Sequence, residues 1–150
     1  MYAFEYCQKI VVFRNDDTEV LLCKRKWEAD YDGVFSFIWG KMETGDVDVL
    51  TWIVREVREE IGWDVSLAIL PYTYFPLSYV KKNGNAMLLP HYYASYLWWS
   101  IILSDEYSTY EWVPVATIDT FEPKIATIPA AVRDLLALRA RFSSTDLVHL

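Results

Sequence analysis

The sequence has no basic tail, and no run of lysine or arginine extends beyond Lys24-Arg25-Lys26. Its formal net charge is −7. A nucleic-acid polymer held by bulk electrostatics is therefore not expected, and a phosphorylated small molecule would need cations to mediate its contact. There are only two cysteines, Cys7 and Cys23, too few for a disulfide framework and too isolated for a metal site. Both lie in apolar surroundings and read as buried thiols in a reducing compartment. The opening Met-Tyr-Ala-Phe-Glu-Tyr lacks a basic region followed by an apolar stretch, so no signal peptide is expected and the location reads as cytoplasmic. The most apolar window, Met87 to Leu103, is broken by Pro90, His91 and several polar or tyrosine positions. It reads as strand, not membrane span. No repeat, low-complexity segment or linker divides the chain, so residues 1–150 are expected to form one domain.

Aromatic residues, by contrast, are plentiful at 17%, more than a core of this size needs. The excess either lines a pocket or subunit interface or simply enriches the core. Tyr96 to Trp99 would supply an apolar surface to a second copy, making a homodimer one expectation. Ile10–Phe13 and Val20–Cys23 read as strands joined by a turn at Asn15–Asp17, and residues 26–34 as a loop. Phe35 to Trp39 reads as a short strand running into Gly40. Val65 to Val80 and Ala86 to Leu103 are strand-rich, with a hairpin signal at Lys81-Lys82-Asn83-Gly84-Asn85. Glu111-Trp112-Val113 adds a short strand, and Pro129 to Arg141 has helical spacing.

Between these strands, from Asp48 to Ile61, the period changes. Leu50, Ile53, Val54, Val57 and Ile61 form one helical stripe. Gly62 is a natural stop, and Asp46 or Asp48 is the N-cap. Glu56, Glu59 and Glu60 share a face roughly opposite the stripe. Carboxylates at this spacing repel by about a few tenths of a kcal/mol per pair, and a hard divalent cation such as Mg²⁺ or Mn²⁺ would resolve the conflict. A plain solvated face balanced by Arg55 and Arg58 is the alternative on the helix alone. Strands, helix, strands, helix in this order imply an α+β or α/β sandwich with helices covering a mixed sheet.

The stretch Arg55-Glu56-Val57-Arg58-Glu59-Glu60-Ile61-Gly62-Trp63 matches, position for position, the second half of the Nudix box, R-E-U-x-E-E-x-G-U with U a bulky apolar residue. Gly40 to Asp46 resembles its first half, G-x5-E. The chain thus resembles a Nudix hydrolase, and the order of its elements resembles the family's over nearly the whole length. Two departures stand out. Asp46 replaces the usual glutamate, and the gap from Asp46 to Arg55 is one residue longer than the family's. Asp46 is then either a supporting group or merely the helix cap.

The resemblance implies an α/β fold, the Nudix α/β/α sandwich. It implies Glu56, Glu59, Glu60 and the Gly40 backbone as the metal site for Mg²⁺ or Mn²⁺, and Arg55 and Glu59 as catalytic groups. In Arg55 it implies an arginine that orients a catalytic carboxylate. Ser104 to Trp112 resembles the segment ahead of a tryptophan in the branch that cleaves nucleoside or dihydroneopterin triphosphates. That makes Glu106 a general base or extra ligand, against the reading of an exposed acidic turn. Trp39, in place of the usual Pro-Gly approach to the box, also resembles that branch, and either shapes the pocket or packs in the core. Arg25 and Lys41 are candidate substrate-binding residues. Tyr74, Tyr79 and Tyr92 are candidates for base stacking that rank below core packing, and His91 and His149 receive no role.

The implied activity is hydrolysis of a phosphoanhydride bond in a nucleoside-diphosphate-linked substrate. A (deoxy)nucleoside triphosphate or dihydroneopterin triphosphate, releasing pyrophosphate, comes first. Dinucleoside polyphosphates and oxidised nucleotides come next, and ADP-ribose last. The alternative is a catalytically weak Nudix-fold sensor domain, which the complete E-x-x-E-E set disfavours. A protein-interaction module with an incidental acidic helix would need the whole motif to arise by chance.

Overall fold

In the computed structural model, residues 3–26, 32–98 and 100–150 are described, with the side chains of 74–78 excepted. Strands β1 (Phe4–Arg14) and β2 (Glu19–Arg25) form the expected hairpin. Its turn places Asn15, Asp16 and Asp17 at φ of 53°, 54° and 62°. That left-handed region suits Asn and Asp, whose short polar side chains bond locally. The hairpin pairing is brief, because β1 soon leaves β2 to pair with β4 (Ile38–Lys41), with Gln8 opposite Gly40 and Lys9 opposite Trp39. The short β3 (Phe35–Ser36) pairs with β2.

β1 runs parallel to β7 (Ala86–Trp98) along most of its length. Around this pair stand β5 (Ser66–Ile69), β6 (Tyr74–Val80), β8 (Tyr107–Pro114) and the short β9 (Val148–His149), all antiparallel to their neighbours. The sheet is mixed, as expected, and Lys81–Asn85 forms the hairpin between β6 and β7. The strand expected to reach Leu103 ends at Trp98, and Trp99 lies outside the described residues. β9 and two short 3₁₀ turns, Val115–Thr117 and Ser144–Asp146, carry no periodicity that would announce them.

Two helices cover the sheet. On one face, α1 (Val49–Ile61) packs Ile53, Val57 and Ile61 onto Ile10, Val12, Leu21 and Leu67. On the other, α2 (Ile128–Arg139) packs Ala131, Val132 and Leu135 onto Val11, Phe13, Val20 and Leu22. Alternation along β1 serves both cores, its even-numbered residues facing α1 and its odd-numbered ones facing α2. This is the α/β/α sandwich. Cys7 and Cys23 are buried free thiols, and among the described residues no helix is long and apolar enough to cross a membrane.

Asp48, not Asp46, caps α1, its side chain accepting the Thr51 N–H at 2.7 Å. Such a cap contributes about 1 kcal/mol. The buried face of α1 is also rotated from the expected stripe. Trp52, Glu56 and Glu60 are buried beside Ile53, Val57 and Ile61, while Leu50 and Val54 are only half-buried. The carboxylates therefore do not stand opposite the apolar stripe. Two of them line its edge, because an i, i+4 row one residue offset from the core row lies against the same seam.

Candidate active site

The site is assembled where α1 meets β4 and the segment after β7. At Gly62, φ is +123°, which ends the helix. The last carbonyls of α1 are then taken by the chain that follows β7, with Ile102 N–H bonding Ile61 O at 2.8 Å and Ser104 N–H bonding Glu60 O at 3.0 Å. These bonds satisfy acceptors that a helix end leaves open. They also bring Ser104 Oγ to within 2.8 Å of Glu60 Oε2, to which it donates.

Arg55 is the hub. It grips Asp46 with two bonds, Nε to Oδ1 at 3.0 Å and Nη2 to Oδ2 at 2.8 Å. Nη2 also donates to the Lys41 carbonyl at 3.2 Å. Nη1 lies 2.9 Å from Glu56 Oε1, 3.2 Å from Glu59 Oε2 and 3.3 Å from Glu43 Oε1. Asp46 is thus a supporting group for Arg55 and not the cap. The longer gap leaves Asp46 two residues ahead of the cap Asp48 and still within reach of Arg55, in a turn where Asp46 and Glu43 exchange hydrogen bonds. The fork of a guanidinium matches a carboxylate in this bidentate way, and lysine could not reproduce it.

Gly40 makes the site possible. A Cβ built there would stand 1.7 Å from Glu56 Cδ and 2.0 and 2.2 Å from its two oxygens. The Glu56 carboxylate occupies the space that any other residue's side chain would fill.

The three glutamates differ in environment. Burial pushes the Glu56 carboxyl up to about 7. The Arg55 guanidinium pulls it down, and the charges of Glu59 and Glu60 add to the rise. Burial also pushes Glu60 up to about 7, against the Ser104 hydrogen bond, with Glu106 and Glu59 contributing repulsion and Arg25 relief. Glu59, on the outer side, has a side chain 49% exposed. Glu106 is exposed, yet its charge is felt at Glu60, and its carbonyl accepts from Lys26 N–H at 3.0 Å.

Among the described residues no three such side chains converge as a ready-made cation cluster. Arg55 bonds Glu56 and Ser104 bonds Glu60. The donor set nonetheless fits a metal. Two buried carboxylates with a third at their rim, all hard oxygen donors, are what a divalent cation takes. Cations bind only the ionised carboxylates. With pKa values raised from the ordinary 4.5, the metal-free fold holds these protons more tightly than the unfolded chain does, so its stability falls as pH rises from about 4.5 to about 7. Buried His91, depressed to about 4, works in the opposite sense over roughly the same range. It cancels when the protein is compared with and without metal at one pH. Mn²⁺ at about a hundred times its Kd is expected to raise Tm by about 5–10 °C at pH 8, and hardly at all at pH 5. A thermal-shift series in buffered Mn²⁺ and EDTA checks this. A stabilisation independent of pH would remove the carboxylates from the binding site.

On the opposite side of β4, Trp39 and Lys41 share the face that Gly40 does not. Arg25, buried, places Cζ 4.5 Å from the Trp39 ring centroid, and Lys9 places Nζ 4.9 Å from it. Lys41 is exposed, with Nζ 3.7 Å from Glu5. Trp39 therefore both packs on the core and braces two cations. Lys9 and Ser104 were missed in the sequence. The signal for Lys9 is a lysine at the centre of an apolar strand run, while Ser104 carries none. Of the tyrosines, Tyr92 is core, Tyr79 is partly exposed, and the Tyr74 side chain lies outside the described residues. His91 is buried with Nδ1 2.8 Å from Leu89 O.

The NUDIX domain family model matches residues 9–135. None of the curated proteins compared matches the chain. Similar solved structures include the MutT protein from Methanosarcina mazei Go1, at TM-score 0.73 and 17% identity over 92% of this chain and 96% of that one. A C. elegans Ap4A hydrolase aligns at TM-score 0.67 and 19% identity, covering 92% and 99%. The E. coli dihydroneopterin triphosphate pyrophosphohydrolase aligns at 0.66 and 15%, covering 90% and 98%. At these identities the likenesses show a shared fold. Nudix enzymes generally use divalent cations. With the family matched across most of its length and the E-x-x-E-E helix seated against Gly40, the chain belongs to the NUDIX domain family and is a Nudix hydrolase.

Proposed function

We propose that the protein is a Mg²⁺- or Mn²⁺-dependent pyrophosphohydrolase acting on a nucleoside triphosphate or dihydroneopterin triphosphate. The observation that carries this reading is the pair of buried carboxylates raised to about 7, Glu56 against the Gly40 backbone and Glu60 one turn on. A divalent cation held by Glu56, Glu59 and Glu60 would neutralise phosphate oxygens and lower the pKa of an attacking water. Arg55, fixed by Asp46, orients Glu56 and Glu59. Glu59, the exposed member, is placed to take a proton at a carboxylate oxygen, and Glu106 is the alternative base across the site. Lys41 and Arg25 bind the substrate's anionic groups, with Trp39 bracing Arg25. The net charge of −7 makes these local cations more important, because the protein as a whole repels a polyanion. Exposed Leu97 and Trp98 favour a second copy as partner, and the buried free thiols fit a reducing, cytoplasmic setting.

A non-catalytic sensor is the other reading, and the retention of all three glutamates with their arginine hub argues against it. The test is phosphate and pyrophosphate release from dNTPs, dihydroneopterin triphosphate, dinucleoside polyphosphates and ADP-ribose, each with Mg²⁺, Mn²⁺ or EDTA. Metal-dependent turnover is expected, with pyrophosphate as the product from a triphosphate. A folded protein that binds Mn²⁺ but turns over nothing would favour the sensor.

A further inference from the structure

The seam between α1 and the central strand contains polar groups that hydrogen bonding leaves unfinished. Even-numbered residues of β1 face α1, so Ile10 and Val12 pack with Ile53 and Val57, and the Tyr6 ring lies 5.9 Å from that of Trp52. Gln8 shares that face and is wholly buried, yet among the described residues neither its amide nitrogen nor its oxygen has a hydrogen-bond partner. The Trp52 indole N–H, likewise buried, has none among them. Folded proteins leave few such groups, because each forfeits its bonds to water without replacement.

Strand register locates what Gln8 faces. Gln8 is the cross-strand partner of Gly40, and side-chain positions in such a pair stand about 4.5–5.5 Å apart on one face. The side-chain space at Gly40 is filled by the Glu56 carboxylate. The side chain of Gln8 therefore starts beside the space that this carboxylate fills. Trp52 precedes Glu56 by one helical turn and lies on the same side of α1.

The donors and acceptors in this seam balance. Trp52 offers one N–H, Gln8 one carbonyl and one NH₂, and Glu56 a carboxylate. We propose that Gln8 is a positioning residue for the hydrolytic reaction, accepting the Trp52 N–H on its carbonyl and donating its amide to Glu56. This relay holds the Glu56 carboxylate at Gly40 when a cation competes with Arg55 for it. The proposal rests on the reading of Glu56 as a metal ligand. An apolar side chain of similar length would fill the same space and add no unsatisfied group of its own, so packing alone does not account for a glutamine there.

Gln8→Met separates the two roles. Mn²⁺ affinity measured by electron paramagnetic resonance is expected to fall about 10- to 100-fold. Turnover kcat should fall with it, KM should change little, and Tm should stay level or rise as the orphaned amide is removed. Trp52→Phe should shift Mn²⁺ affinity in the same direction by less. The double variant should be no worse than Gln8→Met alone, since the relay is already cut. Unchanged Mn²⁺ affinity and kcat in Gln8→Met would overturn the proposal. So would losses that track a lower Tm and add to those of Trp52→Phe, the pattern of a packing residue. A wild-type protein that binds no Mn²⁺ would overturn the reading of Glu56 itself, before any substitution is made.

Discussion

Glu59→Gln is expected to lower kcat by about 10²- to 10⁴-fold while leaving Tm and the circular dichroism spectrum unchanged. The prediction follows from the different settings of the three glutamates. Glu56 and Glu60 are buried, so replacing either alters the packing of α1 as well as its charge. Glu59 is half-exposed and makes its hydrogen bond to Arg55 at 3.2 Å on the outer side of the helix. An amide of the same shape keeps the packing and can no longer accept a proton or bind a hard cation with full charge. Exposed helix substitutions of this kind rarely move stability by more than about 0.5 kcal/mol. Steady-state kinetics in Mg²⁺ and Mn²⁺ would decide it, and a variant retaining most of its turnover would transfer the catalytic role to Glu106.

The second large effect is expected at Gly40. Gly40→Ala adds a single methyl group, yet that methyl would stand 1.7 Å from the Glu56 carboxyl carbon. The two backbones cannot part, so the side chain must give. β4 is fixed to β1 by the pairing of Gln8 with Gly40, and Glu56 sits on a helix locked to the sheet through Ile53 and Val57. The carboxylate must swing out of the cradle, away from its 2.9 Å contact with Arg55. A displacement on the order of 1 Å at a catalytic constellation costs about 10²-fold in rate. Mn²⁺ affinity should fall in parallel, measured by titration, and the Arg55–Asp46 pair should remain. An alanine variant with normal metal affinity would mean that Glu56 is not held at Gly40 during catalysis.

Helix α1 and the motif on it were legible because period and chemistry coincide there. The same holds for the hairpin turns, whose Asn, Asp and Gly residues are dictated by backbone geometry. Less could be read where function depends on a neighbour distant in sequence. Ser104 reaches Glu60 only because backbone bonds from residues 102 and 104 tie that segment to the helix end. Gln8 and Lys9 sit side by side on one strand, and only sheet register sets the first opposite Gly40 and the second opposite Trp39. The exposure of Glu56 was also misjudged. An apolar stripe marks which residues prefer burial, but the rows at its edges are assigned by how the helix rolls against the sheet, which no local pattern records. Asp46 and Asp48 were indistinguishable as caps in sequence. Their division of labour became visible once Arg55 was seen to claim the first.

That division has a consequence for how the fold can vary. With Asp48 starting the helix and Asp46 anchored to a side chain, the short segment of residues 46–48 is held at its two ends by separate devices. A residue inserted between them changes the path of the chain without changing the phase of the helix, so the carboxylates keep their azimuth. The rim of the site is in effect a replaceable part. Loops of other lengths grafted between Asp46 and Asp48 should tune which molecules enter while the machinery beneath stays in place.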